Sequence, residues 1–370
     1  MENRSLRNTR MHVIYKNKID TRHDALISEF LFVSLIIGTL FLIFFSRSIF
    51  PEKYFFDNQM IRAILNGYIA DSSYTNVAKV YKLFGMTATT SPIIESLVAA
   101  LVFVITMLSL FLKKASWIRN KTNFLFLSMW GGFYAAYLSQ MAKDQIAFLI
   151  VIFPAFILIK DEKVRFWTFL LCALIYAAFF RTYWFLIIIM TFSLRFFPKT
   201  HSKFVNVFRI TFVLVLELIV ILVFYRLLHG SSILDIRDSI NAVRIDTGNS
   251  QSMIQSLFKN TNLFYELANI GYTEIIMTLP VHLSALSQIM YYAWLYLILF
   301  LLKEPFKQLL DGRTECSIYL LFLLSYILVQ VLFEPDLGSC LRHQIIFFPV
   351  IFYLSKRNSG EKTALRVKFR

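Results

Sequence analysis

Cysteine is scarce in this chain. Its 370 residues hold three, Cys172, Cys316 and Cys340, far apart and with two in or beside apolar runs. That leaves neither a disulfide framework nor a zinc-ligand pattern. Acid is scarce as well: 23 Asp and Glu stand against 38 Lys and Arg, a net charge of +15. No glycine-rich phosphate loop, HExxH or GxSxG motif occurs. There is no Asp-x-Asp pair; Glu334-Pro335-Asp336 comes nearest and is a poor metal site, so a nucleotide-fed cytoplasmic reaction has little support. The sequence also lacks internal repeats, low-complexity tracts and the short alternating segments of a β-barrel.

What the chain has in excess is apolar sequence. It is 57% hydrophobic and 17% aromatic, with a mean hydropathy of +0.61, against about 45–50% apolar in a soluble domain. The apolar residues gather in ten runs: Leu26–Phe45, Pro92–Leu112, Phe124–Leu138, Ile146–Ile159, Phe166–Phe180, Tyr183–Leu194, Ile210–Tyr225, Leu283–Leu302, Ser317–Leu332 and Gln344–Leu354. Runs of this length predict an all-α, polytopic bundle of about ten transmembrane helices. Short runs are completed by polar residues that face protein or water.

Charge sets the orientation. With the N-terminus inside, the inner segments hold 26 of the 38 Lys and Arg residues, and every short inner loop is basic. The expectation is N-in and C-in. It gives a basic cytoplasmic N-terminus at 1–25, a single transmembrane domain at 26–354 and a basic cytoplasmic tail at 355–370. The first run, with no small-residue cleavage site after it, reads as an uncleaved signal anchor. The positive charge is thus explained by inner loops and not by nucleic acid.

Two outer loops are long, 46–91 and 228–282. In the first, Tyr74, Val77, Tyr81 and Phe84 are spaced 3, 4 and 3 apart; in the second, Ile233, Ile236, Ile240 and Val243 repeat that spacing. Each set falls on one helical face, which predicts short amphipathic helices on the outer membrane surface. They would either cover a site open to lipid or simply pack on the bundle.

The unusual polar residues gather on the outer side: Asp57, Lys143-Asp144, Arg181, Glu334, Asp336, Arg342 and His343. Glu217 is the one acid well inside an apolar run. Ionisable groups beside apolar spans are costly and are functional candidates by default. Arg181, in Phe179-Phe180-Arg181-Thr182-Tyr183-Trp184, must find an anion or reach the interface. Its planar fork suits phosphate, although a structural pair with Asp144 or Asp336 would also satisfy it. Lys143 is a point charge for phosphate, with Asp144 to orient it or Arg181. The stretch Phe333 to His343 reads as a charged turn, because Pro335 and Gly338 interrupt it. It supplies Arg342 as a second anion clamp. His343, or one of Asp336 and Glu334, is the candidate general base. Cations beside carboxylates at the outer leaflet suit an anionic lipid, such as a polyprenyl diphosphate-linked sugar.

Several of these patches resemble the Wzy-type polysaccharide polymerases of bacterial O-antigen, capsule and exopolysaccharide pathways. They are Phe56-Asp57 ahead of a Tyr-rich amphipathic stretch, Ser139-Gln140-Met141-Ala142-Lys143-Asp144, Arg181-Thr182-Tyr183-Trp184, and Glu334-Pro335-Asp336-Leu337-Gly338-Ser339 with Arg342-His343. The resemblance implies a metal-independent, cofactor-free glycosyltransferase of the bacterial inner membrane. Its substrate would be an undecaprenyl diphosphate-linked oligosaccharide, joined to the next repeat at the outer face of the bilayer. A chain-length regulator and a flippase of the same pathway are the implied partners. Substrate handling carries over to Arg181 and Arg342, and less directly to His343 and Asp336. The second outer loop, with Arg237 and Arg244, resembles the large periplasmic loop of the family but matches no fixed arginine pattern.

Two rivals remain open. A flippase for the same lipid would show inverted repeats and titratable groups near mid-membrane, where only Glu217 fits. An O-antigen ligase would share the cationic site.

Overall fold

The structure is a computed structural model. It describes residues 25–111, 115–196, 200, 202–235, 237–239, 253–281, 283, 285–312, 317–333 and 336–356. Among them the chain is helical, with one isolated bridge, Met253 to Asp336, and no strand. In order the helices are α1 (Ala25–Phe44), α2 (Phe56–Leu65), α3 (Ser72–Leu83), α4 (Pro92–Phe111), α5 (Lys121–Tyr137) and α6 (Lys143–Ala147). A π-helix, Phe148–Leu158, continues from α6. Then come α7 (Glu162–Phe179), α8 (Trp184–Phe196), α9 (Lys203–His229), α10 (Leu263–Thr278), α11 (Leu286–Leu301) and α12 (Lys303–Leu310). Last are α13 (Ser317–Phe333), α14 (Leu337–Ile345) and α15 (Phe348–Lys356).

Each of the ten apolar runs is helical over most of its length. Among the described residues α1, α4 and α9 are long and apolar enough to cross a membrane by themselves. The bent pairs α11–α12 and α14–α15, at 53° and 63°, bring that number to five if each is one span. Of the two long loops, the first carries an amphipathic helix: α3 buries Val77, Ala78 and Tyr81, but Phe84, the fourth residue of the expected face, is exposed just past its end, as is Leu83. In the second, residues 233–235 and 237–239 are helical, while Ile236, Ile240 and Val243 lie outside the described residues or side chains. The N-terminal 24 residues and the tail beyond 356 lie outside as well.

The chain divides into two compact units. The first, residues 1–54 and 90–140, holds α1, α4 and α5. Phe103 stacks on Trp130 at 5.3 Å, and the Tyr134 hydroxyl donates to the Ala99 carbonyl at 3.0 Å. Gly131 lets α1 come close: a Cβ there would stand 2.4 Å from Thr39 Oγ1. Arg47 pairs with the buried Glu95 at 3.1 Å.

The second unit, residues 55–89 and 141–370, is built on α8 against α13, with α7 and the π-helix beside them. Its core is aromatic. Trp184 meets Tyr176 at 4.7 Å and Tyr326 meets Phe347 at 4.6 Å. Pro154 cannot donate a backbone hydrogen bond, and it falls inside the π-helix, where the ladder is already irregular. The helix stops where Arg165 donates to the carbonyls of Ile159 and Lys160, with its guanidinium over the Tyr353 ring at 4.5 Å.

One expectation is corrected here. The stretch around Gly338 is a helix, not a turn, from Leu337 onward. Asp336 is its N-cap, accepting from the Gly338 and Ser339 amides at 3.2 and 3.3 Å. Gly338 falls in the first helical turn, where the cap supplies the order that its own propensity does not.

Candidate anion site

Four segments of the second unit meet at one cluster of charge. Asp57 comes from the first turn of α2, Lys143 and Asp144 from α6, Arg181 from the connection between α7 and α8, and Arg342 and His343 from α14. Asp144, 1% exposed, is the hub. Its Oδ1 lies 2.6 Å from His343 Nδ1 and 3.6 Å from Arg181 Nη2, and its Oδ2 lies 2.9 Å from Arg342 Nε. Arg342 then spans to the second carboxylate, with Nη1 3.2 Å from Asp57 Oδ1. The Tyr74 hydroxyl donates to that same Asp57 oxygen at 2.8 Å.

His343 is fully buried. The Asp144 carboxylate at Nδ1 assigns the proton to that nitrogen, which leaves Nε2 to accept from Arg181 Nη1 at 3.2 Å. Arg181 also donates to the Tyr183 hydroxyl at 2.5 Å. In this geometry His343 holds Arg181 in place and does not face outward. Lys143 rests over the Tyr74 ring, 3.4 Å from its centroid.

The elements that aim these groups follow from local sequence. Asp71 caps α3 by accepting from the Tyr74 amide at 2.8 Å. The Tyr81 hydroxyl accepts from the Ala142 amide at 2.9 Å and donates to Gln145 Oε1 at 2.7 Å, so α3 fixes the peptide on which Lys143 and Asp144 sit. Asp57 falls in the first turn of α2, where the helix dipole favours an anion.

Three cations here face two carboxylates, setting aside the imidazole. Burial disfavours the charged Asp144, but His343, Arg342 and Arg181 outweigh it and hold its carboxyl far below the usual range. Burial likewise works against Asp57, yet Arg342 and Lys143 bring it net downward. Burial, with Arg181 adding to it, pushes Lys143 down to about 8. The surplus is cationic and part of it is reachable: Arg342 has 22% of its side chain exposed and Lys143 is half-buried.

The remaining candidates fall elsewhere. Asp336 spends its carboxylate on the cap and on the Ser339 hydroxyl at 2.9 Å. Arg237 is buried in a separate network, donating to Asp238, Ser256 and the Val331 carbonyl. That network continues through Asn260, which donates to both Asp235 and Asp238, and Asn269, and it includes the pair of Arg226 with Glu266. Glu334 and Arg244 lie outside the described residues. Among the described residues no group of three or more His, Cys, Asp or Glu is placed to hold a metal ion.

Sequence reasoning missed the tyrosines. Tyr74 and Tyr81 registered only as members of an apolar face, but a buried phenol needs a partner for its hydroxyl, and that was the available signal.

In comparisons with family models, with curated proteins and with solved structures, nothing matches this chain.

Proposed function

We propose that this chain is a membrane glycosyltransferase, a polymerase of lipid-linked oligosaccharide repeats. It acts on undecaprenyl diphosphate-linked glycan at the outer face of the bacterial inner membrane, through ten crossings with both termini inside. The observation that supports this reading is the convergence of Arg181, Arg342 and Lys143 on two buried carboxylates. A site with a surplus of fixed cations attracts an anion, and its guanidinium forks suit phosphate oxygens. All of the converging segments fall on the outer side in the charge-derived topology.

In the proposed reaction the growing chain leaves one diphosphate and joins the acceptor hydroxyl of the next repeat. The departing diphosphate gathers negative charge, and preorganised cations stabilise that charge more in the transition state than in the ground state. Asp144 and His343 hold Arg181 and Arg342 at fixed positions, so little reorganisation is needed as the bond breaks.

The test is complementation in a host that lacks its own polymerase. Arg342→Ala and Arg181→Ala leave lipid-linked single repeats at the outer face and lose long chains. Repeats stranded on the cytoplasmic face would identify a flippase instead. Full polymerisation in both variants would end the reading.

A further inference from the structure

We infer that Asp57 is the general base of this site, taking the proton of the acceptor hydroxyl; the inference rests on the polymerase reading. It follows from how each candidate acceptor is used. Asp144 has a partner at each oxygen: Oδ1 meets His343 and Arg181, and Oδ2, though without a hydrogen bond, is ion-paired to Arg342 at 2.9 Å. His343 has its two nitrogens against Asp144 and Arg181. Asp336 caps α14. Asp57 differs. Its Oδ1 carries Tyr74 and Arg342, and its Oδ2 is buried with no hydrogen-bond partner. A buried carboxylate oxygen left without a donor calls for an explanation, and a hydroxyl arriving from an acceptor supplies the missing donor.

The placement suits the chemistry. Asp57 Oδ1 is 3.2 Å from the guanidinium proposed to hold the departing diphosphate. At that distance the base and the leaving-group clamp can reach the same anomeric carbon. In the step itself the acceptor oxygen bonds to that carbon while its proton passes to Asp57 Oδ2. The bond from carbon to diphosphate oxygen breaks, and its electron pair leaves with the diphosphate, opposite Arg342, Arg181 and Lys143. Burial serves this role. Asp57 is 3% exposed, so bulk water is kept from the base and transfer to a sugar wins over hydrolysis. The partly exposed Arg342 and Lys143 flank the approach, and ligand-free contacts of this kind commonly adjust when substrate arrives.

The groups facing Asp57 are Tyr74 on α3, Lys143 and Asp144 on α6, and Arg342 on α14. Two of them are the cations that hold its carboxyl low. An anionic diphosphate on those cations offsets their pull and makes Asp57 a stronger base when substrate is bound.

The experiment compares Asp57→Asn, Asp57→Glu, Tyr74→Phe and Arg342→Ala in the full chain. Polymerisation is followed in membranes that supply lipid-linked repeats, and binding of inorganic pyrophosphate is measured on the purified protein. Asp57→Asn should lower the polymerisation rate by about 10²–10⁴-fold while binding pyrophosphate at least as tightly as the parent, since an anion has been removed beside the clamp. Asp57→Glu should recover part of the rate. Tyr74→Phe, which removes a hydrogen bond to the same carboxylate but not the base, should lower the rate far less than Asp57→Asn. Near-normal polymerisation in Asp57→Asn, or loss of pyrophosphate binding along with the rate, overturns the assignment. If Arg342→Ala abolishes polymerisation while Asp57→Asn does not, only this inference fails; if neither variant matters, the polymerase reading fails with it.

Discussion

The Asp57–Asp144 cluster and the network around Asn260 both bury arginine beside carboxylate, and both belong to the second unit. Around Asn260 the charges are Arg226 and Arg237 against Asp235, Asp238 and Glu266, and the arginines also donate to carbonyls of Asn260, Thr261 and Val331. Asn269 closes the network by binding both backbone groups of Phe258. Each polar group is spent on joining a loop to a helix. Around Asp144 the balance is reversed, with three cations to two carboxylates, and Oδ2 of both Asp57 and Asp144 is buried without a hydrogen bond, the latter held only by its ion pair with Arg342. Burial of arginine with acid therefore does not mark a site. A surplus of cations around buried carboxylate oxygens that lack hydrogen bonds does.

The sharpest way to break this comparison is to remove one acid from each. Taking away one partner of a buried ion pair leaves the other uncompensated, at about 3–5 kcal/mol. Asp144→Ala strands Arg342, Arg181 and His343 together and should reach that range in thermal unfolding of the purified protein. Glu266→Ala strands Arg226, which is one-third exposed, and should cost less, about 1–3 kcal/mol. Saturating pyrophosphate should then restore part of the lost stability in Asp144→Ala, because an anion that binds only the folded state stabilises it. Glu266→Ala keeps the anion site, so pyrophosphate should stabilise it only as much as it stabilises the parent. Equal rescue of the two variants, or rescue of neither, removes the distinction. Acid should weaken the first cluster specifically. The carboxyls of Asp57 and Asp144 are lowered in the folded state, so their contribution is full above the ordinary carboxylate pKa of about 4 and is lost as pH falls below it.

A smaller effect sharpens the electrostatic side. Lys143 carries its charge below about 8 and loses it above. Sulfate, which does not titrate in this range, should bind with constant affinity at lower pH. Above about 8 its affinity should fall, by at most about tenfold per pH unit for a single proton. Arginine stays charged throughout, so Lys143→Arg should bind sulfate without that decline. A decline of the same slope in the variant would take Lys143 out of the site.

Much of this was legible from the chain alone. The apolar runs predicted the helices because hydrocarbon length and composition leave few alternatives. Arg181 and Arg342 stood out because guanidinium groups beside apolar sequence need anions. The pairing was not legible. Asp57 and Arg342 are separated by most of the chain, and no periodicity links them. The helix at Leu337 was hidden behind Pro335 and Gly338, whose turn signal outweighed the capping signal of Asp336 followed by Ser339. His343 looked like a base because its intrinsic pKa is suitable, and only the positions of Asp144 and Arg181 reveal that both nitrogens are engaged.

The smallest expected effect concerns that cap. Asp336 was a candidate for the acid–base chemistry, and it occupies the start of the helix that carries Arg342 and His343. An N-cap contributes about 0.5–2 kcal/mol, and asparagine fills the position about as well as aspartate. Asp336→Asn should therefore melt close to the parent and keep its polymerisation, because the amide oxygen still accepts from Gly338 and Ser339. Asp336→Ala should lose stability in the capping range and weaken pyrophosphate binding modestly, as the first turn of α14 frays and Arg342 loses its fixed approach to Asp57. A residue that moved protons would behave differently, since asparagine can cap but cannot accept a proton at neutral pH. Loss of polymerisation in Asp336→Asn with an unchanged melting temperature would return Asp336 to the chemistry and remove Asp57 as its sole base.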